Sequence, residues 1–178
     1  MEPDEILNFW LQAGPQIWFK KDDAFDQSVK EKFQTLPDQI VDGQYDHWQT
    51  NPNGMLASVL ALDQFPRNIH RGTARAFAYD ETARKFAKTA IDQQWDQQVS
   101  NEIKAFFYLP FMHSEDINDQ HFCLNLYRKA NDEKGVGYAR RHMELIEKYG
   151  RFPHRNELLG RKSTPEEENY LSTEGAGF

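Results

Sequence analysis

A chain of 178 residues is the length of one domain and long enough to bury a sizeable core. Its aromatic share of 13% argues against disorder, although 28% of the residues are charged. The formal net charge of -7, with no wide basic stripe, excludes general nucleic-acid binding through many phosphate contacts.

The acidic start Met1-Glu2-Pro3-Asp4-Glu5 lacks the basic lead and apolar centre of a secretory signal. No run approaches the ~20 apolar residues needed to cross a bilayer, so no membrane association is expected. Cys123 is the only cysteine and forms no internal disulfide, which points to a reducing cytoplasm. Charge is uneven along the chain. Eleven acids face four lysines up to Asp63, a local balance of -7, whereas 17 acids and 17 bases cancel beyond it.

Almost every segment reads at helical period. Ile6, Phe9 and Trp10 form the apolar face of a first helix that Gly14-Pro15 ends. Phe25, Val29 and Phe33, spaced by four, form a second, closed by Leu36-Pro37. The turn Asn51-Pro52-Asn53-Gly54 precedes Met55 to Leu62, which is apolar on most sides and is expected at the centre of the domain. Its last turn carries Asp63 and Gln64, which need partners if they are buried.

Asp80 reads as the N-cap of a long helix whose inner stripe follows Tyr79, Ala83, Phe86, Ala87, Ala90, Ile91 and Trp95. Val99, Ile103, Phe106 and Phe107 predict another, stopped near Pro110. Ser114 reads as the cap of the next, with Glu115 and Asp116 in its first turn. Phe122, Cys123, Leu126 and Ala130 supply its buried face. Tyr138, His142, Leu145, Ile146 and Tyr149 supply that of its successor, which Gly150 ends. Thr164-Pro165-Glu166-Glu167 has the form of a capping box. Strand signals are nearly absent. The expectation is an all-α single domain over residues 1–178. It comprises about eight helices, stacked as antiparallel hairpins in a tetratricopeptide-like right-handed superhelix. A compact bundle is the second choice, because the usual tetratricopeptide signature does not recur.

Two segments echo each other. Asp63-Gln64-Phe65-Pro66-Arg67-Asn68-Ile69-His70-Arg71 and Arg151-Phe152-Pro153-His154-Arg155-Asn156 both set Phe-Pro before an Arg, Asn and His cluster. Proline removes a donor and disfavours helix in the preceding residue, so each pair should turn the chain and display its polar groups. Arginine's rigid fork suits carboxylate or phosphate. The expectation is one polar pocket for a small anionic metabolite or a peptide carboxylate. Asp63, Gln64, Arg67, Asn68, Arg71, His113, Glu115, Arg151, His154, Arg155 and Asn156 are its candidate residues. Arg67, Arg71 and Arg155 hold the anion, Asn68 and Asn156 orient it, and His113 or His154 is the proton donor. The competing reading pairs the arginines with carboxylates such as Asp63, Glu115 and Asp116, so that they fasten helix ends. The protein is then an interaction scaffold for a protein partner.

Other chemistry has little support. His-Glu-x-x-His, Cys-x-x-Cys and Glu-x-x-His are all missing, so neither a metal nor another cofactor is expected. Cys123 lies between Phe122 and Leu124 and reads as an inert core thiol. Ser114 lacks a nucleophile elbow, and no glycine loop cradles phosphate. The tryptophans read as core, with a ligand groove as the competing role. No reacting group stands out, so the sequence names no reaction.

The segments Leu62 to Asn68, Arg71 to Phe77, Phe107 to Glu115 and Gly150 to Asn156 also carry a resemblance. Together with Phe9-Trp10 and the stretch from Gly160-Arg161 to Glu166-Glu167, they resemble the bacterial family catalogued as domain of unknown function 924. The likeness covers nearly the whole chain. It implies a fold similar to tetratricopeptide superhelices and carries no activity, substrate, cofactor or catalytic residue.

Overall fold

The computed structural model describes residues 1–173 and Gly175. Helices and turns make up these residues, with no strand among them. The chain is all-α and is built as two compact units. The first comprises Met1–Arg71 and Arg75–Pro110, and the second Gly72–Ala74 and Phe111–Phe178.

The first unit is organised around one helix. In chain order it contains α1 (Pro3–Ala13), α2 (Pro15–Trp18), α3 (Asp23–Phe33), α4 (Leu36–Val41), α5 (Pro52–Asp63), α6 (Phe65–Ile69) and α7 (Asp80–Asp92). Every residue of α5 from Gly54 to Asp63 is buried, as its all-round apolar sequence predicts. The helices α1, α4, α6 and α7 all pack on it. Asn51 caps α5 by accepting a bond from the Gly54 N–H at 3.0 Å, and Pro52 occupies the first turn, where no donor is needed. Gly54 lies inside the helix, not in a preceding turn. A Cβ there would meet the Trp48 carbonyl oxygen at 2.2 Å, so glycine lets the turn Asp46–Thr50 lie directly on α5. Aromatic rings fill the space around it. Phe33 stacks on Phe65 with ring centres 4.8 Å apart, and Trp10 meets Phe65 at 5.8 Å and Phe106 at 5.6 Å.

The second unit holds a helical hairpin of α9 (Ile117–Lys129) and α10 (Glu133–Tyr149), preceded by the short α8 (Leu109–Met112) at the boundary and followed by α11 (Pro165–Leu171). The three-residue link between α9 and α10 makes them antiparallel neighbours, and they pack along their lengths. Gly150 ends α10 in the left-handed conformation, φ 67°, which glycine adopts without a Cβ penalty. Thr164 and Glu167 form the expected capping box.

Several local expectations are corrected. The prolines expected to stop helices also start them, so short segments add to the expected number. Leu36-Pro37 opens α4, and Pro15 and Pro66 sit in the first turns of α2 and α6. Asp80 is the first residue of α7 and not its cap, because its carboxylate is drawn to Arg67. The stretch from Val99 to Phe107 forms only the 3-10 turn Lys104–Phe107, since four apolar residues supply too little periodic surface for a longer helix. Asp116, not Ser114, caps α9 by accepting from the Asn118 N–H at 2.8 Å. Tyr138 is 45% exposed, so the inner face of α10 runs through Val136, Ala139, His142 and Ile146.

Candidate functional site

In the first unit the candidate residues lie at the α5–α6 corner. The end of the most apolar helix carries Asp63 and Gln64 into the interior, 1% and 6% exposed. Gln64 Nε2 donates to Asp63 Oδ2 at 2.5 Å, and Arg67 NH1 lies 3.4 Å from Asp63 Oδ1. One turn on, Arg67 closes its fork on Asp80, with NH1 and NH2 donating to the two oxygens at 2.8 and 2.9 Å. Arg71 grips Asp26 of α3 the same way, through Nε at 2.7 Å and NH2 at 2.9 Å, and Asn68 Nδ2 donates to the same carboxylate at 2.7 Å. Burial would raise the Asp26 carboxyl, but the bonds from Arg71 and Asn68 outweigh it and hold it below its ordinary value. Asn68 on α6 and Arg71 just beyond it thus converge on one acid of α3.

In the second unit the remaining six candidates, His113, Glu115, Arg151, His154, Arg155 and Asn156, belong to one polar network. Gly150 and Phe152-Pro153 turn the chain after α10 and present Arg151, His154, Arg155 and Asn156 in succession. Arg151 Nε and NH2 donate to Glu167 at 2.6 and 2.7 Å. These bonds, together with the Thr164 N–H of the capping box, push Glu167 down to about 2 against the opposing effect of its burial. Asn156 Nδ2 reaches Ser163 Oγ at 3.0 Å and Glu167 at 3.3 Å. Glu115 accepts from the Phe152 N–H at 2.8 Å and from Arg161. Arg155 is buried, donates to the His113 carbonyl at 3.0 Å and lies over the Phe152 ring at 4.6 Å.

Two imidazoles complete this network. His142 Nδ1 bonds the Tyr138 carbonyl at 2.9 Å, so that nitrogen is the donor, and the ring meets Phe152 edge-on at 5.7 Å. Burial lowers His142 to about 3, with His113, Arg155 and His154 adding to the effect. Burial and Arg155 lower His154 to about 4. Both rings are neutral at pH 7.

The arrangement brings Asp63, Gln64, Arg67, Asn68 and Arg71 together in one unit and the other six in the other unit. Sequence reading missed Asp26, Asp80 and Arg161, which complete the pairs, and His142 and Gln120. Gln120 is fully buried, and its amide nitrogen bonds the carbonyls of Phe111, Met112 and Ser114 at 3.3, 2.8 and 2.6 Å. Its side-chain oxygen and that of Asn156 are buried without a hydrogen-bond partner among the described residues. A Gln shortly after a helix cap was the only signal for Gln120. Cys123 is fully buried, and burial pushes its thiol well above the ordinary range, consistent with an inert core group. Among the described residues no helix is long and apolar enough to cross a membrane, and no group of three or more His, Cys, Asp or Glu side chains could hold a metal ion.

The family model described as bacterial protein of unknown function, DUF924, matches residues 6–175, and the chain belongs to that family. A solved structure of a protein of unknown function from Agrobacterium tumefaciens is 42% identical to it, with a TM-score of 0.92 over 96% of each chain. No curated protein matches the chain.

Proposed function

We propose that this member of the DUF924 family is an interaction scaffold of tetratricopeptide-like build, and that its arginine clusters are internal clamps. The observation that carries this reading is the state of the guanidinium forks. Arg67 is held by Asp80 and Asp63, Arg71 by Asp26, Arg151 by Glu167 and Arg161 by Glu115. Arg155 is buried on the His113 carbonyl and the Phe152 ring. Both amino groups of Arg67 and the Nε edge of Arg71 are spent on the protein's own carboxylates. The edge of a fork that closes bidentately on one carboxylate is lost to a second anion. The cytoplasm fits the single reduced cysteine.

A second reading keeps a small anionic ligand in the second unit, where Arg155, Asn156 and His113 or His154 would hold it. The buried Arg161 Nε, a charged donor with no hydrogen-bond partner among the described residues, favours it. A thermal-shift screen of phosphorylated and carboxylated metabolites separates the two. An anion at ~100 times its dissociation constant stabilises by about 2.7 kcal/mol. The scaffold reading expects no such shift beyond that of inorganic salt. A saturable shift that Arg155→Met removes would replace it with the anion site.

A further inference from the structure

A helix is ordinarily attached to its domain by an apolar stripe, and α11 is attached by a carboxylate. Of residues 164–173, all of them described, Glu167 alone is buried and Tyr170 alone half-buried. Leu171, the one aliphatic side chain of the helix besides Pro165, is exposed. The Tyr170 ring meets that of the half-buried Tyr149 with centres 5.6 Å apart. At seven residues α11 is also far below the ~12–15 at which an isolated helix becomes even marginal in water. Its place in the second unit therefore rests on Glu167.

The groups that hold this carboxylate belong to the body of the unit. Arg151 and Asn156 stand in the turn after α10, and Asn156 is 1% exposed. Arg151 Nε and NH2 close on the two Glu167 oxygens, and the Asn156 amide reaches one of them. The same side chains hold the root of the helix, Arg151 through the Lys162 carbonyl at 3.0 Å and Asn156 through Ser163 Oγ. One position further back, Arg161 is fixed on Glu115, so the segment beyond it can leave while its root stays in place. A guanidinium fork and a primary amide recognise a carboxylate as such, and nothing in these bonds requires that it come from the same chain. Segments with few buried apolar contacts are also the ones that open locally.

We propose that Glu167 stands in for the carboxylate of a protein partner. The strap α11 detaches, and an acidic segment of the partner takes its place on Arg151 and Asn156. The segment that fits has the form of α11 itself, a Ser or Thr cap with Glu three residues on, because that pattern sets its carboxylate beside a helix start. The site is open only in the fraction of molecules with α11 detached, so the chain's own Glu167 keeps its affinity low. The inference rests on the scaffold reading and makes one of its clamps exchangeable.

The test is a titration of the ¹⁵N-labelled full chain and of its Glu167→Ala variant, followed at the Asn156 side-chain amide signals. The probe is the blocked peptide acetyl-Ser-Thr-Pro-Glu-Glu-Glu-Asn-Tyr-Leu-amide, which repeats residues 163–171. Its counterpart has glutamine in the place of Glu167. The variant should bind the first peptide saturably and at least severalfold more tightly than the wild type does, the reverse of what loss of a purely structural residue would give. The glutamine peptide and acetate should each bind the variant severalfold more weakly. Adding Arg151→Met should remove the response and leave the signals of α9 and α10 in place. Hydrogen exchange of the wild type needs no variant, and there the α11 amides should exchange at least severalfold faster than those of α10. Equal protection of α11 and α10 overturns the proposal, and so does a variant that binds the peptide no more tightly than the wild type. An equal response to acetate overturns the assignment to a partner's segment. None of these results touches the scaffold reading, which stands on the anion screen and the Arg67 and Arg71 variants.

Discussion

Glu115 and Arg161 are joined by two bonds across forty-six positions, NH1 to Oε2 at 2.6 Å and NH2 to Oε1 at 2.9 Å, and Arg161 NH2 also reaches the Phe152 carbonyl at 3.2 Å. Glu115 also accepts the Phe152 N–H, so one carboxylate ties the segment before α9 to the turn after α10 and to the loop before α11. Burial alone would raise its carboxyl, and the Arg161 bonds bring it below the ordinary value.

Replacing Glu115 by Gln keeps the shape and removes the charge that makes these bonds strong. The expected loss is about 1.5 to 3 kcal/mol, the range for hydrogen bonds to charged groups. Urea unfolding measures it. The double variant with Arg161→Met should lose less than the sum of the two single losses, because the partners share one interaction. Additive losses would mean that the pair is not coupled.

Asp63 is the deepest acid of the first unit, 1% exposed with Arg67 and Gln64 beside it. Asp63→Ala strands part of the Arg67 charge in a site that excludes water. Breaking a buried pair costs ~3 to 5 kcal/mol, and that is the expected loss. A change below about 0.5 kcal/mol, typical of surface positions, would contradict the burial.

How much of this was legible in the sequence follows from the range of the forces involved. The burial of α5 was readable because an all-round apolar run has only one favourable place. The α10 stop at Gly150 and the Thr164–Glu167 capping box were readable because their geometry is set within five residues. The partners of the arginines were not. Asp26 lies 45 positions before Arg71, and nothing local to either residue selects the other. The same limit explains Asp80, which has the chemistry of a cap but whose carboxylate is claimed by Arg67, thirteen positions away. Ser114 differs, because Asp119 nearby on α9 takes its hydroxyl and Asp116 supplies the cap. The prolines misled for a different reason. Proline is as suited to a helix's first turn as it is unsuited to an interior, and only the packing decides which applies.

The arginine variants should lose stability in a definite order. Arg67→Met leaves Asp63 and Asp80 without their cation, and Asp63 is almost wholly buried, so a loss of ~3 to 5 kcal/mol is expected. Arg71→Met leaves Asp26, but the Arg71 side chain is 39% exposed and Asn68 still donates to the acid, so the loss should be nearer ~1 kcal/mol. Methionine matches the stem in volume, which leaves the charge as the main difference. Chemical denaturation of both variants checks the order. Equal and negligible losses would mean that the arginines are not clamps, and would return them to a ligand.

Acid should weaken the protein sooner than its carboxylates alone would require. His142 binds its proton at about 3 when folded, against about 6.5 when unfolded. Between those values the unfolded chain holds a proton that the folded chain refuses, so stability falls as pH drops through this window. His154, lowered to about 4, acts in the same direction over the upper part of it. Glu167 acts later. Its folded value of about 2 lies below the ordinary ~4.3, so its stabilising contribution is complete above ~4.3 and is lost as pH falls towards about 2. Each proton taken up by unfolding contributes a slope of up to ~1.4 kcal/mol per pH unit. Stability measured by urea unfolding should therefore begin to fall near pH ~6.5. His142→Gln should reduce the slope from ~6.5 down to about 3, leaving the part that His154 contributes above about 4. Glu167→Gln should instead lower stability at neutral pH and flatten only the limb below ~4.3. A wild-type curve that stays level down to ~4.3 would mean that both imidazoles are protonated in the folded protein, and that the burial which holds them neutral is not what the fold provides.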